Sequence, residues 1–361
     1  MSILHTRLCE LLGCEYPIIQ TAMGWVTGPE IVAASGNAGG FGFLAGATIP
    51  PDEIERDILK TKSLTDAPFG VNFHMYQPNA ADIVELVIKH KVRAVSYSRS
   101  PGGEMIARLK EHGVKCVPTI GLPKHAIKAI QLGADAVTVQ GGEGGGHTGS
   151  VPTSLLIPQV VDAVDGKVPV AAAGGFKDGR GLVAALAWGA DGIAMGTRFL
   201  MAKEASPPDA TKQRYVDCNN PAEIIVSKAV DGLPQRMINN EMLQRLENAN
   251  PLTKFMIAIG NGLKFRKHTG ASLISLLKSA IAMAKSDDIT VTQAIMSANA
   301  PMIIQKAMVD GQPGSGVLPS GQVAGVIGEV LSCRDIIHGI AAEAEERLKV
   351  LAEMTNNETR Q

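Results

Sequence analysis

The stretch VPVAAAGGFKDGRGLVAALAWGADGIAMGT, residues 168–197, carries the plan of the fold. An apolar run (168–175) ends in a glycine pair. FKDGRG then opens a helix-like segment, GRGLVAALAWGA (179–190), and a second apolar run, GIAMGT (192–197), again turns at glycine. The reading is strand, glycine turn, helix, strand. Working outward toward the N-terminus, the same rhythm recurs in PIIQ (17–20), GFGFLAG (40–46), FGVNFH (69–74), AVSYSR (94–99), KCVPTIG (115–121) and AVTVQG (136–141). The intervals are roughly 20–30 residues, the length of a βα unit. Helical stretches lie between the runs; in GEMIARLKEHG (103–113), Met105, Ile106 and Leu109 recur at helical spacing.

Eight βα units in succession predict an α/β chain of the (β/α)8 TIM-barrel class. The rival is an open doubly wound sheet, which carries a dinucleotide fingerprint after its first strand. Here the first strand is followed by TAMGWVTG, which is not GxGxxG. The barrel is therefore preferred.

The bulk properties agree. A chain of 361 residues suits one large α/β domain plus an insertion, or two domains. Aromatics are sparse and glycine is abundant, as in parallel α/β proteins where short apolar strands end in glycine turns. A formal net charge of −1 gives no field that would gather nucleic acid. Cys9, Cys14, Cys116, Cys218 and Cys333 are scattered, without a CxxC or zinc spacing, and read as the reduced thiols of a cytoplasmic protein with no metal site. The N-terminus lacks a signal-peptide pattern, and no apolar stretch is long enough for a bilayer, so no membrane role is expected.

The rhythm breaks near Glu204, at ASPPDATKQ. The expected division is a barrel over residues 1–205, a mainly helical inserted or appended subdomain over 206–310, and a C-terminal loop and helix over 311–361 that return to the barrel. The 206–310 segment shows no clear strand. Its best helix is ASLISLLKSAIAMAKS (271–286), where Leu273, Leu276, Leu277, Ile281 and Met283 form an apolar packing face. Exposed apolar helices there would permit a homodimer. A last helix is expected over roughly 322–352, and the tail TNNETRQ reads as disordered.

In a barrel the loops after the strand C-termini build the active site. After the seventh and eighth strands, Gly174, Gly175 and Gly196 let the backbone approach a ligand closely, and Thr197 adds a hydroxyl. Tight turns alone would explain one such loop; two, at the positions where barrels hold phosphate, predict a phosphate group. After the first strand, Ala22 and Gly24 would admit a flat ring, with Met23 and Trp25 covering it or simply packing in the core. Asn72, on the third strand, offers a donor and an acceptor. PSGQ (319–322) would reach back over the mouth.

The loop after the sixth strand, VQGGEGGGHTG (139–149), contains a single imidazole among glycines. A lone histidine is usually structural, and His5, His90, His112, His125, His268 and His338 read that way, with His74 a weak exception at the end of the third strand. Flanking glycines leave the His147 ring no ordinary core role, so it is the candidate general base. Glu143 is near in sequence, but its position does not show a contact with His147.

Together, PIIQTAMGWV, GNAGGFGFLA, PFGVN, GADAVTVQGGEGGGHTG and AAGGFKDGRGLVAALAWGADGIAMGTRFL resemble the nitronate monooxygenase family, formerly called 2-nitropropane dioxygenases. The match spans nearly the whole barrel and is less distinctive after Glu204. The resemblance implies an FMN-dependent oxidoreductase. It places the FMN phosphate on Gly174, Gly175, Gly196 and Thr197. It places the flavin ring against Ala22, Met23, Gly24 and Asn72, with Gly321 and Gln322 closing from the C-terminal loop. His147 stands where the family has its catalytic histidine. On that basis His147 deprotonates an activated alpha carbon, electrons pass to flavin N5, and O2 or NAD(P)H is a further reactant. QTAMGWVTGP and VQGGEGGGHTG look most like a branch acting on CoA thioesters of a steroid ring fragment. The small-molecule substrate is then an acyl-CoA or an alkyl nitronate, with an enoyl-thioester reductase as the alternative. The basic LKFRKH (263–268) would meet CoA phosphates or be a solvated face.

Three other readings are weaker. A barrel of the IMP dehydrogenase type needs a nucleophilic cysteine in the loop after the sixth strand, and the nearest one in sequence, Cys116, lies in the fifth strand. An isomerase or aldolase would use Lys124 or Glu143, and neither explains GGGHTG. A flavin-binding protein without turnover would show no flavin reduction by any substrate.

Overall fold

Eight parallel strands follow one another around the barrel in chain order, and the last pairs with the first. In a computed structural model that describes residues 3–47, 49–74, 77, 79–98, 103–250, 253, 256–257, 260–261 and 299–358, the strands are as follows. They are β1 (Ile18–Gln20), β2 (Phe41–Ala45), β3 (Gly70–His74), β4 (Ala94–Ser98), β5 (Lys115–Ile120) and β6 (Val137–Gln140), then β7 (Gly146–His147), which stands outside the barrel, then β8 (Val170–Ala173) and β9 (Gly192–Met195). The barrel order is β1-β2-β3-β4-β5-β6-β8-β9, closed by Ile19 opposite Ala194. All eight expected strands form. The glycines that end the apolar runs lie just past the ladder, where the chain turns out of the sheet.

The helices are α1 (Arg7–Leu12), α2 (Pro29–Asn37), α3 (Pro51–Leu64), α4 (Ala80–Lys89), α5 (Gly103–Glu111), α6 (Pro123–Gln131) and α7 (Thr153–Val164). After these come α8 (Gly179–Ala187), α9 (Thr197–Leu200), α10 (Asp209–Val216), α11 (Glu241–Asn248), α12 (Asn299–Met308) and α13 (Cys333–Glu358). Proline in the first turn starts α2, α3 and α6, where its missing N–H costs nothing. Asp178 caps α8 by accepting from Gly181 N at 3.3 Å.

Two apolar layers flank the strands. The inner one is filled by Phe41 and Phe43 of β2 together with small residues, Ala94, Ala171, Ala173 and Ala194. Alternation along β2 sends both rings inward, where they meet edge to face at 5.1 Å. A Cβ on Gly70 would fall 2.3 Å from Phe43, so the ring requires glycine on the neighbouring strand. Leu8 and Leu12 of α1 join this layer. The outer layer joins strand residues such as Val71, Val95, Val139 and Ile193 to the helices. No helix among the described residues is long and apolar enough to cross a membrane.

The structure corrects three expectations outside the barrel. Within 206–310, β10 (Ile224–Ser227) and β11 (Gln235–Ile238) form an antiparallel hairpin, and β11 pairs with β7. Neither strand is followed by a glycine turn and then a helix, so the βα rhythm does not reveal them. The last helix starts at Cys333 rather than near residue 322; Gln322–Val326 is a 3₁₀ turn. That helix runs into the supposed tail, through Glu358, with Thr355 Oγ1 donating to Ala352 O. It lies on α8, where Gly179 N donates to Glu343 Oε2 at 2.8 Å. The helix expected over 271–286 and the basic LKFRKH lie outside the described residues.

Candidate active site

The glycine-rich loop after β6 is fixed by neighbours on every side. Arg236 of β11 donates from Nε and Nη2 to Gly142 O, at 3.0 and 2.8 Å. Burial lowers the Arg236 pKa, and the charge of Glu143 opposes that shift. Gln140 Nε2 donates to His147 O at 2.9 Å. The glycines serve separate needs. Gly146 adopts φ +66°, in the left-handed region. A Cβ on Gly145 would sit 2.5 Å from Gly321 N, and one on Gly144 would sit 2.6 Å from Gln140 Nε2.

The register of β7 against β11 sets Gln235 opposite His147. The His147 side chain is 55% exposed, and its Nε2 lies 2.8 Å from Oδ2 of Asp231, which is 0% exposed. Asp231 Oδ1 accepts from Leu233 N at 3.0 Å, and Gln235 Nε2 donates to Oδ2. Gln235 Nε2 also lies 3.3 Å from His147 Nε2. Among the described residues, Nδ1 of His147 has no protein partner.

Beside this loop stand the ends of β8 and β9. Gly174 and Gly175 adopt φ +105° and +83°. A Cβ on Gly174 would lie 2.9 Å from Thr153 Oγ1 and 3.2 Å from Gly141 O, so the β8 turn abuts the histidine loop. Among the described residues, the backbone N–H groups of Gly175, Gly196 and Thr197 donate to no protein acceptor, whereas the register of Ala173 opposite Ala194 turns the Gly174 N–H toward Ala194 O. A Cβ on Gly196 would meet Thr21 Oγ1 at 3.2 Å and Met23 Sδ at 3.4 Å. The loop after β1 is thus adjacent too. Its Met23 N donates to Thr27 Oγ1 at 2.9 Å, and Trp25 sits at φ +66°, an uncommon conformation for a bulky residue. Ala22 packs against the inner barrel layer, and Gly24 lies in the same turn.

The C-terminal loop joins the group. Gly321 N donates to Thr197 Oγ1 at 2.9 Å, and Gln322 N donates to Glu143 O at 2.9 Å. Asn72 is two strands from β1. Its Nδ2 donates to Ser96 O and Oγ, at 3.1 and 2.9 Å, which among the described residues leaves Oδ1 as the free end of the amide. Contacts therefore link Met23, Gly174, Gly175, Gly196, Thr197, Gly321 and Gln322 around the His147 loop, while Asn72 stands on a different wall.

Glu143 does not contact His147: its Oε2 accepts from Thr153 N and Oγ1, at 2.8 and 2.6 Å, at the start of α7. Cys116 is buried in β5, where burial and then Asp135 push its thiol up to about 12. Lys124 lies on α6. No motif in the sequence marks Asp231, Gln235 or Arg236. The one local signal, Asp-Gly at 231–232, reads as a surface turn. Among the described residues there is no cluster of metal-ligating side chains.

A nitronate monooxygenase family profile matches residues 5–343. A (3aS,4S,5R,7aS)-5-hydroxy-7a-methyl-1-oxo-octahydro-1H-indene-4-carboxyl-CoA dehydrogenase of Rhodococcus jostii is 48% identical over 351 residues, covering 97% of this chain and 99% of that protein. A probable nitronate monooxygenase of Staphylococcus saprophyticus is 33% identical over 290 residues, covering 67% and 81%. Among solved structures, FabK from Thermotoga maritima superposes with a TM-score of 0.80 at 30% identity, covering 97% of this chain and 99% of that one. The chain belongs to the nitronate monooxygenase family and is an oxidoreductase.

Proposed function

We propose that this chain is an FMN-dependent dehydrogenase of CoA thioesters in which His147 is the base and the acyl group is a hydroxylated ring fragment of a degraded steroid. One observation carries the reading. Among the described residues, the His147 imidazole, with Nδ1 unused by protein, sits at the same barrel end as the unpaired backbone N–H groups of Gly175, Gly196 and Thr197.

Those N–H groups fit the phosphate of FMN. Gly175, Gly196 and Thr197 would offer the donors, and Gly174 would leave room beside them, where a Cβ would strike Thr153 Oγ1. Ala22, Met23, Gly24 and the free Oδ1 of Asn72 would meet the flavin ring, with Gly321 and Gln322 closing over it. FMN held there would supply the acceptor for a hydride equivalent.

The name of the Rhodococcus relative describes a hydroxyl on the ring carbon next to the one bearing the carboxyl-CoA. Oxidation at such a carbon removes a hydride from C–H and a proton from O–H and leaves a ketone. His147 Nδ1 takes that proton. In a thioester desaturated between its alpha and beta carbons, the same nitrogen would take the alpha proton while the beta carbon gives up the hydride equivalent and the double bond forms. The glycine-lined loop keeps side chains away from the approach to the ring. Electron acceptance from the enzyme by O2 or the NAD(P)H couple, residence in the cytoplasm and formation of a homodimer belong to the same proposal.

An alkyl nitronate as substrate is the second reading, favoured by the family profile and the Staphylococcus relative. The Rhodococcus relative matches with higher identity and over nearly the full chain, which favours the thioester. The test compares two substrates on one flavin-loaded preparation. The proposal expects a hydroxylated bicyclic acyl-CoA to yield its ketone. Nitrite release from propyl-2-nitronate without acyl-CoA oxidation would transfer the assignment to the second reading.

A further inference from the structure

We infer that Asp231 is a positioning residue that locks His147 in the Nε2–H tautomer and so keeps Nδ1 as the basic nitrogen. The inference rests on the proposed role of His147 as base. Asp231 is wholly buried, and its Oδ2 faces His147 Nε2 at 2.8 Å. An ionised carboxylate only accepts hydrogen bonds. A bare Nε2 lone pair at that distance would face a buried anion with no proton between them. Protonation at Nε2 removes the conflict and supplies Asp231 with a third donor, beside Leu233 N and the Gln235 amide. The imidazole then has one nitrogen left for a substrate proton. When Nδ1 takes it, the ring becomes a cation already paired with Asp231, which stabilises the charge as it forms. Asp231 touches no reacting atom; it acts through the ring.

A merely structural role is the competing account, because Asp231 also closes the turn before β11 through Leu233 N. Asp231→Asn separates the two. The backbone N–H of Leu233 cannot reverse, so the asparagine oxygen stays on it and the amide NH₂ takes the place of Oδ2. Gln235 can turn its own amide to present an oxygen, whereas His147 Nε2 must then become an acceptor. The proton moves to Nδ1, and the base is blocked.

The experiment is ¹⁵N NMR of histidine-labelled full-length protein, with the His147 signals assigned from a His147→Gln spectrum, alongside steady-state kinetics. Wild type is expected to show a protonated Nε2 and a bare Nδ1. Asp231→Asn is expected to reverse the pair, with flavin content kept and kcat lowered ~10²–10⁴-fold while KM changes little. An unchanged tautomer or an unchanged kcat in Asp231→Asn overturns the inference. Should that variant fail to fold, the wild-type spectrum still decides: a proton on Nδ1 overturns it. If the tautomers behave as stated but no candidate substrate is consumed, the positioning role stands and the base assignment falls.

Discussion

The backbone N–H of Gly321 donates to the hydroxyl of Thr197 across 2.9 Å, joining the C-terminal loop to the end of the last barrel strand. The same loop bonds to the histidine loop through Gln322 N and Glu143 O. Gly145 lies against Gly321 so closely that neither position has room for a larger residue without displacement: a Cβ on Gly321 would sit 3.2 Å from both Thr197 Oγ1 and Glu143 O. Three segments distant in sequence thus meet over one end of the barrel.

Thr197→Val removes the acceptor and leaves a buried N–H unpaired. The expected loss is about 1–3 kcal/mol of stability, read as a lower urea midpoint. FMN should bind more weakly as the loop loosens, measured by quenching of flavin fluorescence. A variant equal to wild type in both would show that this bond does not hold the loop.

Gly174→Ala combines a left-handed φ of +105° with a Cβ only 2.9 Å from Thr153 Oγ1. The turn must shift, and the N–H groups beside it lose their common aim. We expect FMN affinity to fall by about tenfold or more, equivalent to ~1.4 kcal/mol, while far-UV circular dichroism stays that of the barrel. Full flavin retention after dialysis would remove this turn from the phosphate site.

The barrel was legible because its strands are short apolar runs that break before a helix, at glycine as in VPVAAAGG and GIAMGT or at polar residues as in FGVNFH. The turn at Gly174 and Gly175 and the turn at Gly196 could be placed side by side once strand order was known, because β8 and β9 are neighbours. Nothing comparable marks β10 and β11: they pair as a hairpin, and the docking of β11 against β7, distant in sequence, is written in no local pattern. Asp231 was illegible for the same reason. It lies 84 residues from His147, and the β7–β11 register alone brings the two together. His147 stood out because glycines surround it; its partner stands in an ordinary turn sequence.

Arg236 holds Gly142 O with two N–H groups from a part-buried guanidinium. Arg236→Met keeps much of the side-chain volume and removes both donors. The loop should lose its anchor, and kcat should drop by about tenfold with flavin retained, since a small displacement of a positioned base is costly. Parallel loss of flavin and fold would mean that Arg236 supports the architecture rather than the loop.

Cys116 tests the nucleophilic-thiol alternative. Burial, reinforced by Asp135, raises its pKa to about 12, so the thiol is protonated at neutral pH and stays so up to pH 9. Cys116→Ala should therefore turn over like wild type, with no change in the pH dependence between 7 and 9. A loss beyond ~100-fold would restore a covalent mechanism.

The central claim is that His147 removes the substrate proton. The most direct measurement is anaerobic stopped-flow absorbance of the flavin after mixing with a hydroxylated bicyclic acyl-CoA. The account predicts rapid bleaching in wild type. In His147→Ala, bound flavin should be unchanged in amount and bleach ~10²–10⁴-fold more slowly. Bleaching of the variant at the wild-type rate would contradict the claim.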